Sequence, residues 1–177
     1  MILTGNEIRD NVLKHRIKIS SFDLNKLNPN SYDLSLGDKI LIYKDEILDP
    51  FKNNLFDIID FPADGYMLQA GDFILSHSSE VVGSDYYVPI IHAKSSIARL
   101  GLFVHITADL IDIGSHGNIT FQIYATLPVK IYPKMNFGQV SFWVPKGEIS
   151  LYDGKYQGLK GPIGSLYYKN ILENEIL

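Results

Sequence analysis

The chain has 177 residues, of which 46% are hydrophobic and 20% charged, the size and proportions of a soluble globular domain with an apolar core. It contains no cysteine, which excludes a disulfide scaffold, a Cys-ligated zinc site, an iron–sulfur cluster and thiol catalysis. Its formal charge of −4 argues against a nucleic-acid backbone binder, whose footprint is basic. The charge is unevenly spread: residues 1–93 carry 8 basic and 14 acidic side chains, residues 94–177 carry 8 and 6. A split this small is read first as chance, the other reading being that any anionic ligand is handled mainly by the second half.

At the start of the chain, Thr4 followed by Glu7 is a capping-box pattern. Leu3, Ile8, Val12 and Leu13 extend it as an apolar stripe to about His15. No basic segment precedes an apolar run near Met1, and no apolar stretch reaches the roughly 18 residues of a membrane span. A soluble, cytoplasmic protein with no membrane or nucleic-acid partner is expected. Short runs rich in Ile, Val, Tyr and Phe then follow, at Lys39–Tyr43, Phe73–Ser76, Phe103–Thr107, Ile119–Ala125, Val129–Tyr132 and Gln139–Val144. Gly, Pro, Asn and Asp separate them, which predicts a mainly β fold, a distorted barrel or jelly roll with a short N-terminal helix. Residues 1–170 are expected to form one domain, and 171–177 a mobile tail.

Three segments carry more polar residues than an apolar frame needs. In Asn28–Asp38 a turn-rich entry leads into alternating leucines, and composition favours a solvated Asp33 just inside a strand. In Ala93–Leu102, Lys94, Ser95, Ser96 and Arg99 put two hydroxyls and two cations within six residues. That cluster suits an anion, the plainer reading being an N-cap serine beside a surface arginine. From His105 to Gln122, Asp112 lies between Ile111 and Ile113, where a buried carboxylate needs a cation, a metal or a water. His105 reads as a packed, hydrogen-bonded histidine and His116 as a solvated turn residue.

These residues resemble the dCTP deaminase/dUTPase superfamily. The resemblance rests on Lys94-Ser95-Ser96-Ile97-Ala98-Arg99-Leu100-Gly101-Leu102, with His105, Thr107-Ala108 and Ile111-Asp112. Asn30–Gly37, Phe137–Phe142 and Lys155–Ser165 extend it from about residue 30 to 165. It implies a dUTPase-like homotrimer with sites at subunit interfaces, closed by a C-terminal motif at about residues 152–168. The substrate would be a deoxypyrimidine triphosphate carrying Mg²⁺, without zinc. Nucleotide and phosphate contacts would come from Lys94, Ser95, Ser96, Arg99, Ala108, Thr120, Gln139, Tyr152 and Lys155. Asp33 is a candidate metal ligand, the Mg²⁺ being held mainly by the phosphates.

The superfamily's hydrolase branch places a water-activating aspartate where this chain has Asp112. Its deaminase branch places a glutamate, as general base, where this chain has Gln122. An amide has no basic lone pair near neutral pH, so Gln122 cannot be that base, although it can still hydrogen-bond a pyrimidine edge. Ser115 stands where an aromatic residue is usual, Lys94 where arginine is common, and Leu159 where deaminases have glutamine. The first reading is thus a dUTP diphosphatase. The alternatives are a dCTP deaminase, either inactivated by the glutamine or supplied with another base, and a nucleotide-binding regulator without turnover.

Overall fold

The computed structural model describes residues 1–105 and 107–170, so the expected tail at 171–177 lies outside the described residues. Helix α1 runs Gly5–Leu13, its first turn capped by the Thr4 hydroxyl, which accepts from the Glu7 amide at 3.5 Å. Ile8 is fully buried and Val12 packs against the core, but Leu13 is 70% exposed and drops out of the expected stripe. Strand β1 (Lys18–Ile19) and a 3₁₀ turn at Leu24–Lys26 lead into the long strand β2, Tyr32–Tyr43. There follow β3 (Phe56–Asp60), β4 (Tyr66–Leu68), β5 (Phe73–Gly83), β6 (Val88–Ala93), the single-turn helix α2 (Ser95–Ala98) and β7 (Leu102–Phe103). Strands β8 (His116–Ala125), β9 (Val129–Ile131) and β10 (Asn136–Trp143) complete the described elements.

The main sheet has the order β6-β10-β2-β5-β8-β7, all pairings antiparallel, with β1 added on β5 and β3 on β2. Strands β4 and β9 form a separate ribbon. The segment after β7 then draws the two ends of the strand path together. The Gln122 amide on β8 donates to Val104 O at 3.1 Å, and a few residues later the chain bonds to β6 through Ile91 N to Asp109 O at 2.9 Å. An antiparallel bridge between Ile90 and Leu110 lies in the same place. The result is a nearly closed barrel, which leaves few unpaired strand edges.

Alternation in β8 follows its sequence: Ile119, Phe121 and Ile123 are buried in the core, whereas Thr120, Gln122 and Tyr124 are half-buried on the other face. Phe121 meets Phe137 at a ring-centroid distance of 5.7 Å, inside a core that also holds Tyr32, Leu34, Leu36 and Phe142. The expected strand Phe103–Thr107 shrinks to Leu102–Phe103, because the following residues leave β8 to cross towards β6, with Ile106 outside the described residues.

Candidate functional site

A cavity of about 530 Å³ opens on the Thr120–Gln122 face of β8. Four stretches build its walls: β8 itself, the segment that follows β7, the ends of β2 and β5 with Leu48, and the chain after β10. Among the described residues that line it there is no Asp or Glu, and the polar groups are amides, hydroxyls and one imidazole. It is thus a largely apolar, uncharged recess with few polar contacts, the usual character of a small-molecule site.

Of the residues expected to form a site, Ala108, Thr120 and Gln122 line this cavity. Gln122 reaches it because the β8 alternation turns it away from the core, and its backbone bond to Val104 fixes it beside His105. The His105 Nε2 bonds the carbonyl of Ala108, which holds the 105–108 turn, while Nδ1 is buried without a protein partner. Burial pushes the imidazole pKa below its ordinary value, against smaller opposing contributions from that carbonyl and from the charge of Asp109. His105 is therefore neutral near pH 7, as a packed and hydrogen-bonded residue.

The C-terminal segment supplies the fourth side of the cavity through Tyr156, Leu159, Ile163 and Ser165, all within the Lys155–Ser165 motif. Their placement follows from backbone docking onto β8. Asn118 N donates to Leu159 O at 3.0 Å, Gly158 N to His116 O at 2.8 Å, and Gly161 N to the Asn118 side-chain oxygen at 3.1 Å. Gly117 permits this approach, since a Cβ there would stand 3.1 Å from Leu159 O. Further along, Ser165 N donates to the Tyr43 hydroxyl at 2.9 Å and ties the segment to the end of β2. Tyr152 and Lys155 lie before this stretch and outside the cavity wall. The Tyr152 hydroxyl accepts from Tyr156 N at 3.1 Å, and the Lys155 ammonium bonds the Asn170 side chain.

The cationic segment lies elsewhere. Lys94, Ser95, Ser96, Arg99 and Gln139 do not line the cavity. Asp33 is not the solvated strand residue that composition favoured: it is buried and paired with the Lys94 ammonium, and its other oxygen accepts from Asn28 at 2.8 Å. Gln139 completes this network by accepting from the Ser31 hydroxyl at 2.8 Å and donating to Ala93 O at 3.2 Å. Burial demands these partners, because an uncompensated carboxylate inside the sheet would be costly. Lys94, not a serine, occupies the N-cap of α2, and no side chain caps that helix. Ser95, Ser96 and Arg99 instead stand exposed above the network, with no ion pair to Arg99 among the described residues.

Two further expectations change. Asp112 is exposed rather than sunk among its isoleucine neighbours, so water solvates its charge and no internal partner is required. His116 is the first residue of β8, not a turn residue, and its Nε2 lies 2.7 Å from Asp85.

Comparison with known proteins matches this architecture. A family model described as dCTP deaminase-like covers residues 2–144. A protein of Clostridium beijerinckii named dCTP deaminase, dUMP-forming, is 42% identical over 96% of this chain and 98% of its own length. Proteins of the same name from Hathewaya histolytica and Cytophaga hutchinsonii are each 40% identical over 96% of this chain, covering 99% and 98% of their own lengths. The crystal structure of 2'-deoxycytidine 5'-triphosphate deaminase from Agrobacterium tumefaciens superposes with a TM-score of 0.65 at 22% identity. That match covers 81% of this chain and 48% of the Agrobacterium chain, and it supports a shared fold. Among the described residues no helix is long and apolar enough to cross a membrane. By its sequence match and its barrel, the chain belongs to the dCTP deaminase-like family, enzymes of the dUTPase superfamily.

Proposed function

We propose that this chain forms dUMP from deoxypyrimidine triphosphates, with dCTP as the starting nucleotide, as the names of its relatives state for them. The observation that carries this reading is the cavity in which Thr120 and Gln122 face the Ala108 turn and the C-terminal segment. Its size and apolar walls suit a pyrimidine nucleoside, and its amides and hydroxyls suit the polar edge of the base. Water adds at C4 of the cytosine and ammonia leaves, giving dUTP. A second water attacks the α-phosphorus and diphosphate leaves, giving dUMP. The exposed Asp112 carboxylate is assigned to orient that second water, and Ser95, Ser96 and Arg99 to hold phosphate oxygens.

Because those phosphate-binding groups stand outside the cavity, a complete site calls for a neighbouring copy, in keeping with the proposed homotrimer. No three His, Cys, Asp or Glu side chains converge among the described residues, and Asp33 is already paired with Lys94. These residues do not fit a resident metal cage, so Mg²⁺ is assigned to the substrate, carried in on the triphosphate. Lys94 and Gln139 serve this half of the site by fixing the turn beneath Ser95 and Ser96. Tyr152 and Lys155 serve it by bracing the C-terminal segment.

Gln122 favours a second reading, a dUTP diphosphatase alone. Loss of a general base typically costs about 10²–10⁴ in rate, and that loss falls on the first step only. Incubation with dCTP and with dUTP, with and without Mg²⁺, separates the readings through ammonia, diphosphate and dUMP. Ammonia from dCTP supports the full conversion, and diphosphate from dUTP alone supports the second reading. Asp112→Asn is expected to lower diphosphate release at least a hundredfold, and light scattering is expected to give the mass of three chains. Absence of both products would overturn the assignment.

A further inference from the structure

A second recess, of about 190 Å³, is lined by Gly37, Asp38, His77, Ser79 and Lys134. It lies where β2 and β5 lose their register. The two strands pair at Leu36 with Ser78 and again at Ile40 with Ser76, so three residues of β2 face the single residue His77 across the gap. His77 is 7% exposed, and a Cβ on Gly37 would stand 2.2–2.5 Å from three atoms of its ring, so glycine is what leaves room for the imidazole. The ring Nδ1 bonds the Ser78 carbonyl at 2.9 Å. A carbonyl only accepts, so Nδ1 carries the proton, and Nε2 of the neutral ring offers a lone pair. Nε2 is buried without a hydrogen-bond partner among the described residues. Asp38 Oδ1 stands 3.3 Å from it, one acceptor facing another, with no hydrogen-bond geometry through which a shared proton could bridge them.

We propose that His77 Nε2 and Asp38 Oδ1 are two ligands of a divalent first-row transition-metal site, with Zn²⁺ as its representative ion, separate from the cavity on β8. Zinc lies about 2.0–2.1 Å from a histidine nitrogen and about 2.0–2.2 Å from a carboxylate oxygen. At a tetrahedral angle two such ligands stand about 3.3–3.5 Å apart, so the observed spacing accepts the ion without movement. The bond from Nδ1–H to a backbone carbonyl is the outer support that orients a metal-bound imidazole. An imidazole ligand also selects Zn²⁺ and its neighbours over Mg²⁺, which takes oxygen ligands. The Asp38 side chain is 80% exposed, which lets water fill the remaining positions. No third His, Asp or Glu converges there among the described residues, so the ion is exchangeable rather than caged. Lys134, in the same wall, opposes a cation and limits the affinity. The bound ion spans the interval in which β2 and β5 are unpaired, and it stabilises the barrel because it binds the folded chain.

Calorimetric titration of the full chain with Zn²⁺ at pH 7.5 in a non-chelating buffer tests the inference, together with long-range ¹H–¹⁵N spectra of the histidine rings. The expected spectrum has an unprotonated His77 Nε2 whose resonance moves with Zn²⁺ and stays in place with Mg²⁺. Zinc at ten times its dissociation constant is expected to raise Tm by about 3 °C. Asp38→Asn keeps the shape of an exposed side chain and is expected to weaken the zinc binding read at His77 at least tenfold. His77→Gln should lose the tightest calorimetric event, whereas His116→Gln, which removes the histidine paired with Asp85, should keep it. The reverse pattern, a His77 resonance unmoved by zinc, or an affinity unchanged in Asp38→Asn would overturn the inference.

Discussion

Around the cavity, Gln122 and Thr120 have side chains with little to bind inside the chain, whereas around the Lys94 turn the groups nearest the sheet are saturated with partners. Asp33 bonds Lys94 and Asn28, Gln139 bonds Ser31, and Asn28 N donating to Ser31 O at 2.8 Å joins the two groups. Above that network Ser95, Ser96 and Arg99 are left exposed. The difference separates two tasks that the sequence places side by side. Some polar residues of the superfamily pattern hold the backbone, and others are left available to a ligand. Under the proposed function this division has a reason: a neutral base needs hydrogen bonds, whereas phosphates need cations and N–H donors.

Substitutions that break this contrast should differ in what they damage, and stability gives the scale. Asp33→Ala leaves the partly buried Lys94 ammonium without its carboxylate and is expected to cost about 2–3 kcal/mol, measured by urea denaturation. Asn118→Ala removes two bonds to the Ser78 and Glu80 carbonyls and the acceptor for Gly161 N. It should cost about 1–2 kcal/mol and speed proteolytic nicking near residue 160, an outcome read by limited digestion and mass spectrometry. If instead it left the digestion pattern unchanged, the C-terminal wall would owe little to this anchor.

The third prediction concerns His105, whose pKa in the folded chain lies below its ordinary value because burial disfavours the imidazolium. Below about pH 6.5 the unfolded chain takes up a proton that the folded chain resists. Stability from the neutral imidazole is therefore present above that pH and is lost as pH falls through the folded value. His105→Gln should show a smaller drop in Tm between pH 7.5 and pH 5 than the natural chain. Equal drops would mean that the cavity wall does not disfavour the proton. Arg99→Ala has the smallest effect on folding, within about 0.5 kcal/mol, since the side chain is exposed. Under the proposed function it should nonetheless weaken triphosphate binding by about tenfold at low salt, read by calorimetric titration with a non-hydrolysable α,β-imido analogue of dUTP.

Much of the fold was legible in the chain. The Thr4 cap gives α1, and Ile119, Phe121 and Ile123 give the buried face of β8, because capping and alternation depend on neighbours a few residues away. The short strands β1, β3, β4 and β6 were not anticipated. Phe56 and Ile58 of β3, for example, are exposed and show no buried periodicity. Within the site, Gln122 and Thr120 were named through the resemblance, and strand alternation is why they share the cavity face. Tyr156, Ile163 and Ser165 lie in the Lys155–Ser165 motif, but which of its residues reach the cavity is decided by docking of the segment through Asn118 and Tyr43.

Asp33 and Asp112 mark the boundary between what sequence and fold each decide. Both are aspartates flanked by apolar residues, and sequence reading put the first in water and the second in need of a partner. The barrel reverses this: β2 is covered on both faces where Asp33 sits, and the crossing segment leaves Asp112 in solvent. By itself the sequence determined a mainly β chain, the superfamily motifs and an amide at position 122, where the resemblance implies a carboxylate. The tertiary structure alone decided which polar groups are consumed inside the chain and which remain free, because burial depends on strands distant in sequence that pack on either side.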